Sequence, residues 1–375
     1  MSWLNPFGGG ASPAGGGAGG GAGGGAGGGA GGGAGGGAST LMDAYASPLF
    51  LAALNRAREA VVDPTSTATY AAPALAAIGA DEALDRWEPW VRSYLATQEL
   101  LLPITFKKLA SGGTDIGLEM LVSGASNPVS IVKMERPDRT VFAAEIADVL
   151  GYAELRDDRA AEILTQIDSQ LAFWASVVQM RGDMAAKTYE LLYVALQLAI
   201  FVEMRFKHEL GCWRPINYSA DVQPHITTPG HGSLPMGHAA QAYMTACILW
   251  KLADASGART EIRDMLMRHA FRMSFNRIVA GVHFPVDLPA GAALGMALGD
   301  YFISRCGASA AAIPTSANLQ PWTFDAAKYT NNKITKANFV NGYKDGSPVA
   351  VQFAEARATQ HLWSAAVLEW AKRQP

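Results

Sequence analysis

Helical periodicity is the strongest constraint this sequence places on its fold. Between residues 157 and 180, Ile163, Ile167, Leu171, Trp174 and Val178 recur every three or four positions. An α-helix closes a turn in about 3.6 residues, so this spacing puts the five side chains on one face that has to be buried. Further helices are expected over residues 139–150, 183–210, 237–255, 260–276, 285–305 and 349–372. Nearer the amino end, Ser39-Thr40 can cap a helix to about residue 62, and another over 85–102 is stopped by Pro103. Ser111-Gly112-Gly113 reads as a turn, 121–138 (with Pro128 and Pro137) as a loop, and 307–348 as irregular. No stretch shows sustained strand alternation with regular turn signals. The fold class expected is all-α, a helical bundle.

Residues 8–38 are almost entirely Gly and Ala and hold more than half of the chain's 40 glycines. Such a tract buries no apolar surface and loses much entropy on ordering, so residues 1–38 are expected to form a disordered tail. It is no phosphate loop, because no Gly-Lys-Ser or Gly-Lys-Thr follows. The rest divides into an N-terminal helical region at 39–180, a core at 181–306, and an irregular segment with a last helix at 307–375.

With 375 residues, 49% of them hydrophobic, the chain can bury a large core. A formal net charge of −3 with no long basic run argues against nucleic acid as partner. Cys212, Cys247 and Cys306 have no metal-like spacing, and their odd number argues against a disulfide framework. The first residues lack a basic stretch followed by an apolar run, so a cytoplasmic, reducing setting is expected. The most apolar run, 191–202, contains Gln197 and is closed by Glu203 and Arg205. A membrane span needs roughly 20 apolar residues, so this run is expected to be a buried core helix.

The chemistry concentrates between Lys207 and Asp287. One cluster holds Lys207, Arg214 and Pro215; a second is Pro235-Met236-Gly237-His238; a third is Asn276-Arg277, then His283 and Asp287. One Lys and two Arg suit a compact, multiply charged oxyanion. Gly237-His238 opens a helix, where free backbone N–H groups and the helix dipole favour an anion. Asp287, four residues after His283, can hold one ring nitrogen of His283 and fix its tautomer. His208, His225, His269 and His361 read as structural. Trp213, next to Arg214, reads as site wall or core.

In order and spacing these clusters resemble the three-part signature shared by type 2 phosphatidic acid phosphatases, class A acid phosphatases and vanadium-dependent haloperoxidases. That pattern is Lys-six residues-Arg-Pro, Pro-Ser-Gly-His, and Ser-Arg-five residues-His-three residues-Asp. The first part is matched in full; Met236 and Asn276 stand where the other two parts have Ser. The resemblance implies a helical bundle of the haloperoxidase/acid phosphatase type. It also implies the roles. Lys207, Arg214, Arg277 and the Gly237 amide would hold the oxyanion. His283 would bond phosphorus or vanadium, Asp287 would orient His283, and His238 would be the acid–base residue.

His231 lies seven residues before His238, as a His does in vanadium bromoperoxidases, and so points to the haloperoxidase branch. The function expected is vanadate-dependent oxidation of bromide or chloride by hydrogen peroxide, with orthovanadate as cofactor and a small organic acceptor. The alternative is a phosphomonoesterase with a phosphohistidine intermediate and no cofactor. A further alternative is a non-catalytic oxyanion binder, because the Met236 thioether cannot donate a hydrogen bond. Asn276 still can. A membrane span is not expected, and a homo-oligomer is left open.

Overall fold

The computed structural model describes residues 48–61, 65, 71–123, 128–167, 170–254, 260–307, 316–319, 321–325, 349–352 and 356–372. The Gly/Ala tail and the Ser39-Thr40 cap lie outside them. In chain order the helices are α1 (Pro48–Val61), α2 (Pro89–Leu101), α3 (Arg139–Tyr152), α4 (Arg156–Thr165) and α5 (Gln170–Trp174), then α6 (Ala186–Leu210), α7 (Gly237–Ala253), α8 (Thr260–Val279), α9 (Asp287–Cys306) and α10 (Arg357–Ala371).

The bundle is organised around α7, whose residues are all buried from Gly237 to Leu249. Its alanines and the glycines of α9 let the two helices run in close contact. A Cβ at Gly291 or Gly295 would overlap the backbone carbonyl oxygen of Met236 or Ala240. α8 and α6 cover other flanks of α7. α6 ends at Gly211, whose left-handed backbone (φ 58°) lets its N–H close on the Lys207 carbonyl at 3.1 Å.

The all-α expectation needs correction. Strands β1 (Ile104–Ser111), β2 (Thr114–Val122) and β3 (Val129–Glu135) form an antiparallel meander. β5 (Trp322–Phe324) adds parallel to β3, giving the order β1-β2-β3-β5. The Gly112-Gly113 turn was legible, but the strands it joins were not. Register shifts at Leu109/Ala110 and Met120/Leu121 break the two-residue period. In β2, Leu118, Glu119 and Met120 are buried in succession, so the strand is covered on both faces and carries no alternation. β3 lies inside the stretch expected to be loop.

The segment expected to be irregular contains β4 (Ser316–Leu319) and β5. The last expected helix begins instead as β6 (Val349–Gln352), paired antiparallel with β4, before α10. The helix expected over 157–180 is broken: α4 stops at Thr165 and α5 spans only Gln170–Trp174. Ile163, Leu171, Trp174 and Val178 are nonetheless buried, as their spacing required. Gln166, at the break, is fully buried and turned into the site described next. Cys212, Cys247 and Cys306 are buried and form no disulfide with one another.

Candidate active site

The clusters from α6, α7, α8 and the loops between them meet inside the bundle. Lys207, Arg214, His238, Arg277, His283 and Asp287 are all at most 4% exposed. Burying this much charge costs several kcal/mol per ion unless each charge finds partners, so the partners define the site.

His283 sits on the corner between α8 and α9, with its Nδ1 2.9 Å from Asp287 Oδ2. The same oxygen accepts hydrogen bonds from the Phe284 N–H (2.9 Å) and the Ser233 hydroxyl. These bonds hold the carboxylate while burial pushes it up to about 6. Asp287 accepts a hydrogen bond from Nδ1–H, the tautomer that leaves a lone pair on Nε2. Arg214 NH1 donates to that nitrogen at 2.9 Å and to the Val282 carbonyl at 2.5 Å. Burial first, then the positive field of Arg214 and Lys207, holds the His283 imidazole far below its ordinary titration range. It is neutral, and its Nε2 lone pair accepts the Arg214 N–H.

Arg214 also donates from Nε to the His231 carbonyl at 3.1 Å, and its NH2 lies 3.1 Å from His231 Nδ1. His231 is half-buried and lowered to about 4 by burial and by the fields of Lys207 and Arg214; its Nε2 has no partner among the described residues. Lys207 donates its three ammonium protons to the carbonyls of Gly232 (3.2 Å), Ser233 (3.1 Å) and Pro235 (2.5 Å). It thereby ties the loop ahead of α7 to the end of α6.

Arg277 NH2 donates to the Ile163 carbonyl at 2.9 Å and to Gln166 Oε1 at 3.1 Å. The Ile163 carbonyl is one of the free acceptors at the carboxyl end of α4, so the guanidinium also meets the negative end of that helix. Arg277 Nε and NH1 are buried with no partner among the described residues. An unmet buried donor costs about 1–3 kcal/mol. His238, in the first turn of α7, has Nε2 3.3 Å from the Gln166 carbonyl; burial and then the Arg277 charge push it well below its ordinary range.

Two readings change, and that of Met236 does not. Asn276 was expected to replace a serine as anion donor, but its amide donates to Glu162 Oε2 and Gln166 Oε1, both at 3.0 Å. Its oxygen accepts from Arg159 NH1 at 2.9 Å, so Asn276 joins α8 to α4. Trp213 is 67% exposed and is neither wall nor core. Met236 is fully buried at the N-cap of α7 and makes no side-chain cap bond.

Sequence reasoning passed over Gln166, Ser233, Glu203 and Gln241. Only Glu203 left a signal, one helical turn before Lys207 on the same face. A cleft of about 540 Å³ lined by Tyr94, Thr97, Gln98, Leu101, Tyr193 and Phe201 contains none of the cationic cluster and stands apart from this site. Among the described residues, no group of three His, Cys, Asp or Glu side chains could chelate a cation. None of their helices is long and apolar enough to cross a membrane.

Three cationic side chains and two imidazoles are thus buried together at the centre of a helical bundle. Residues 188–306 match the family model of the PAP2 superfamily, a stretch that runs from α6 through α9 and contains the whole cluster. A search of curated proteins finds no match.

Proposed function

We propose that the chain is a vanadate-dependent peroxidase that uses hydrogen peroxide to oxidise bromide or chloride, a small organic molecule accepting the product. The observation that carries the oxyanion reading is Arg277: two guanidinium nitrogens, Nε and NH1, are buried with no partner among the described residues, in the cluster that contains His283. An oxyanion would satisfy donors that otherwise cost stability. The donor set fits vanadate, which needs cationic and amide donors for its oxygens and one imidazole lone pair for the metal.

In this reading Arg277, Arg214 and the Gly237 amide would hold the oxygens, and Lys207 would contribute positive field while fastening the loop. His283 would hold the group through Nε2, which carries no proton because Nδ1–H is bound to Asp287, once the Arg214 N–H now on that nitrogen turns to the anion. The bound group would supply a Lewis-acidic centre that activates peroxide toward halide. His238, neutral beside Arg277, gains basicity once an anion offsets that charge, and can then hold the proton exchanged with peroxide. His231, seven residues before His238 as a His is in vanadium bromoperoxidases, supports the peroxidase over the phosphatase.

The Asp287–His283 pair also favours a second reading. A carboxylate-held imidazole is a nucleophile toward phosphorus. The phosphoryl group of a monoester would pass to Nε2, His238, protonated once the phosphate charge offsets Arg277, would give its proton to the departing alkoxide, and water would then take the phosphoryl group from Nε2 and release phosphate.

The deciding experiment assays purified protein in phosphate-free buffer with and without orthovanadate. Bromide oxidation that requires vanadate is expected. Phosphomonoester hydrolysis with an acid-trapped phosphohistidine, and no halide oxidation, would establish the second reading instead. Absence of both activities would overturn both and leave an oxyanion-binding protein without catalysis.

A further inference from the structure

Glu203 is a carboxyl group buried in the cationic site with no short hydrogen bond to it among the described residues. It lies on α6 one turn before Lys207 and is 2% exposed. Its oxygens reach the amino end of α7 so closely that a Cβ on Gly237 would lie 2.5 Å from Oε1. Lys207 gives it field but no hydrogen bond, because all three of its protons go to backbone carbonyls. Its hydrogen bonds come from the Gln241 amide, at 3.4 Å to each oxygen. A buried ionised carboxylate needs several short donors. Two long contacts from one neutral amide favour the protonated form.

We propose that Glu203 is a positioning residue of the oxyanion site: it carries a proton when the anion is bound, and its neutral hydroxyl supplies the donor that Met236 does not. The inference rests on the oxyanion reading above, not on the choice between vanadate and phosphate. An ionised Glu203 would repel the anion from the first turn of α7, whereas a protonated one replaces the missing serine hydroxyl at the same helix end.

The charged groups acting on Glu203 are Lys207 from its own helix and Arg214 from the following loop. α7 faces it with Gly237 and the uncharged Gln241. Burial outweighs both cations and raises the carboxyl to about 7, so its proton is exchangeable near neutrality.

The test uses tungstate, a tetrahedral dianion whose own charge stays constant above about pH 6, bound to the full-length protein in a calorimeter. Titrations between about pH 6 and about pH 9, in buffers of different ionisation heat, give both affinity and proton uptake. Wild-type affinity should fall about tenfold per pH unit above about 7, with one proton taken up per anion. Glu203→Gln keeps a donor without the titration; it should bind with a nearly flat pH profile and lose that proton uptake, which separates Glu203 from His238. Glu203→Met, of similar volume, should also be flat but roughly tenfold or more weaker than the Gln variant, for want of a donor. A pH profile and proton count identical in wild type and Glu203→Gln would overturn the role of Glu203 and leave the oxyanion site standing. No tungstate binding by any variant at any pH would overturn both.

Discussion

Met236 shows how one side chain sets the strength of a site without deciding its existence. It is fully buried at the N-cap of α7, where a hydroxyl could donate to an anion and a thioether cannot. Met236→Ser should therefore raise oxyanion affinity by roughly tenfold, the worth of about one hydrogen bond to a charged group. It should also cost about 2–4 kcal/mol of stability, because a smaller side chain leaves a void. Calorimetric binding and urea unfolding measure the two effects separately, and a variant weaker in binding would contradict the account. His231 gives a pH dependence. Its imidazole falls from an ordinary 6.5 to about 4 in the folded chain. Between those values the unfolded chain binds more protons, so stability is full above about 6.5 and is lost as pH falls toward 4. The thermal midpoint should drop over that window, and His231→Gln should flatten part of the slope. Equal slopes in the two proteins would show that His231 does not titrate as described.

At the scale of elements, the site depends on how closely α9 lies against α7. Gly291 faces the Met236 carbonyl so tightly that any Cβ would overlap it. Gly291→Ala should cost about 1–3 kcal/mol in urea unfolding. Because that carbonyl belongs to the α7 N-cap, the variant should also weaken oxyanion binding; unchanged affinity would mean that the helix end moves independently of α9. The break after α4 has a similar cause. Continuing the helix would bond the Ile163 and Gln166 carbonyls within it, whereas here they serve Arg277 and His238. The periodicity that predicts one long helix is real as burial, yet the buried cations and imidazole claim the backbone groups needed to continue it. The strands were hidden for a different reason: bulges and two-sided burial erase the alternation by which a strand is recognised.

Across the whole molecule, distant helices complete one another's ends. Glu369 of α10 accepts the N–H groups of Lys187 (2.7 Å) and Thr188 (2.9 Å) at the start of α6, and Glu99 of α2 accepts those of Ala358 (3.1 Å) and Thr359 (3.2 Å) at the start of α10. Arg92 of α2 forms a buried pair with Glu190 of α6 at 2.6 Å. Glu369→Ala should remove about 1–2 kcal/mol of stability, the worth of a lost cap, with oxyanion affinity unchanged. Urea unfolding beside tungstate binding checks this, and a loss of affinity would mean that the α6 amino end is coupled to Lys207 at its other end. What the sequence determined unaided was the helical character of most of the chain and the identity of the cationic and imidazole residues. Helical spacing and fixed motif gaps are local properties, written in neighbouring positions. Only the tertiary structure decided which polar groups those residues meet: that Lys207 is spent on carbonyls, that Asn276 binds α4, that Arg277 is left with open donors, and that Glu203 stands among them. These are outcomes of contacts between segments far apart in the chain, and the free energy of a buried polar group is set by its partners rather than by its place in the sequence.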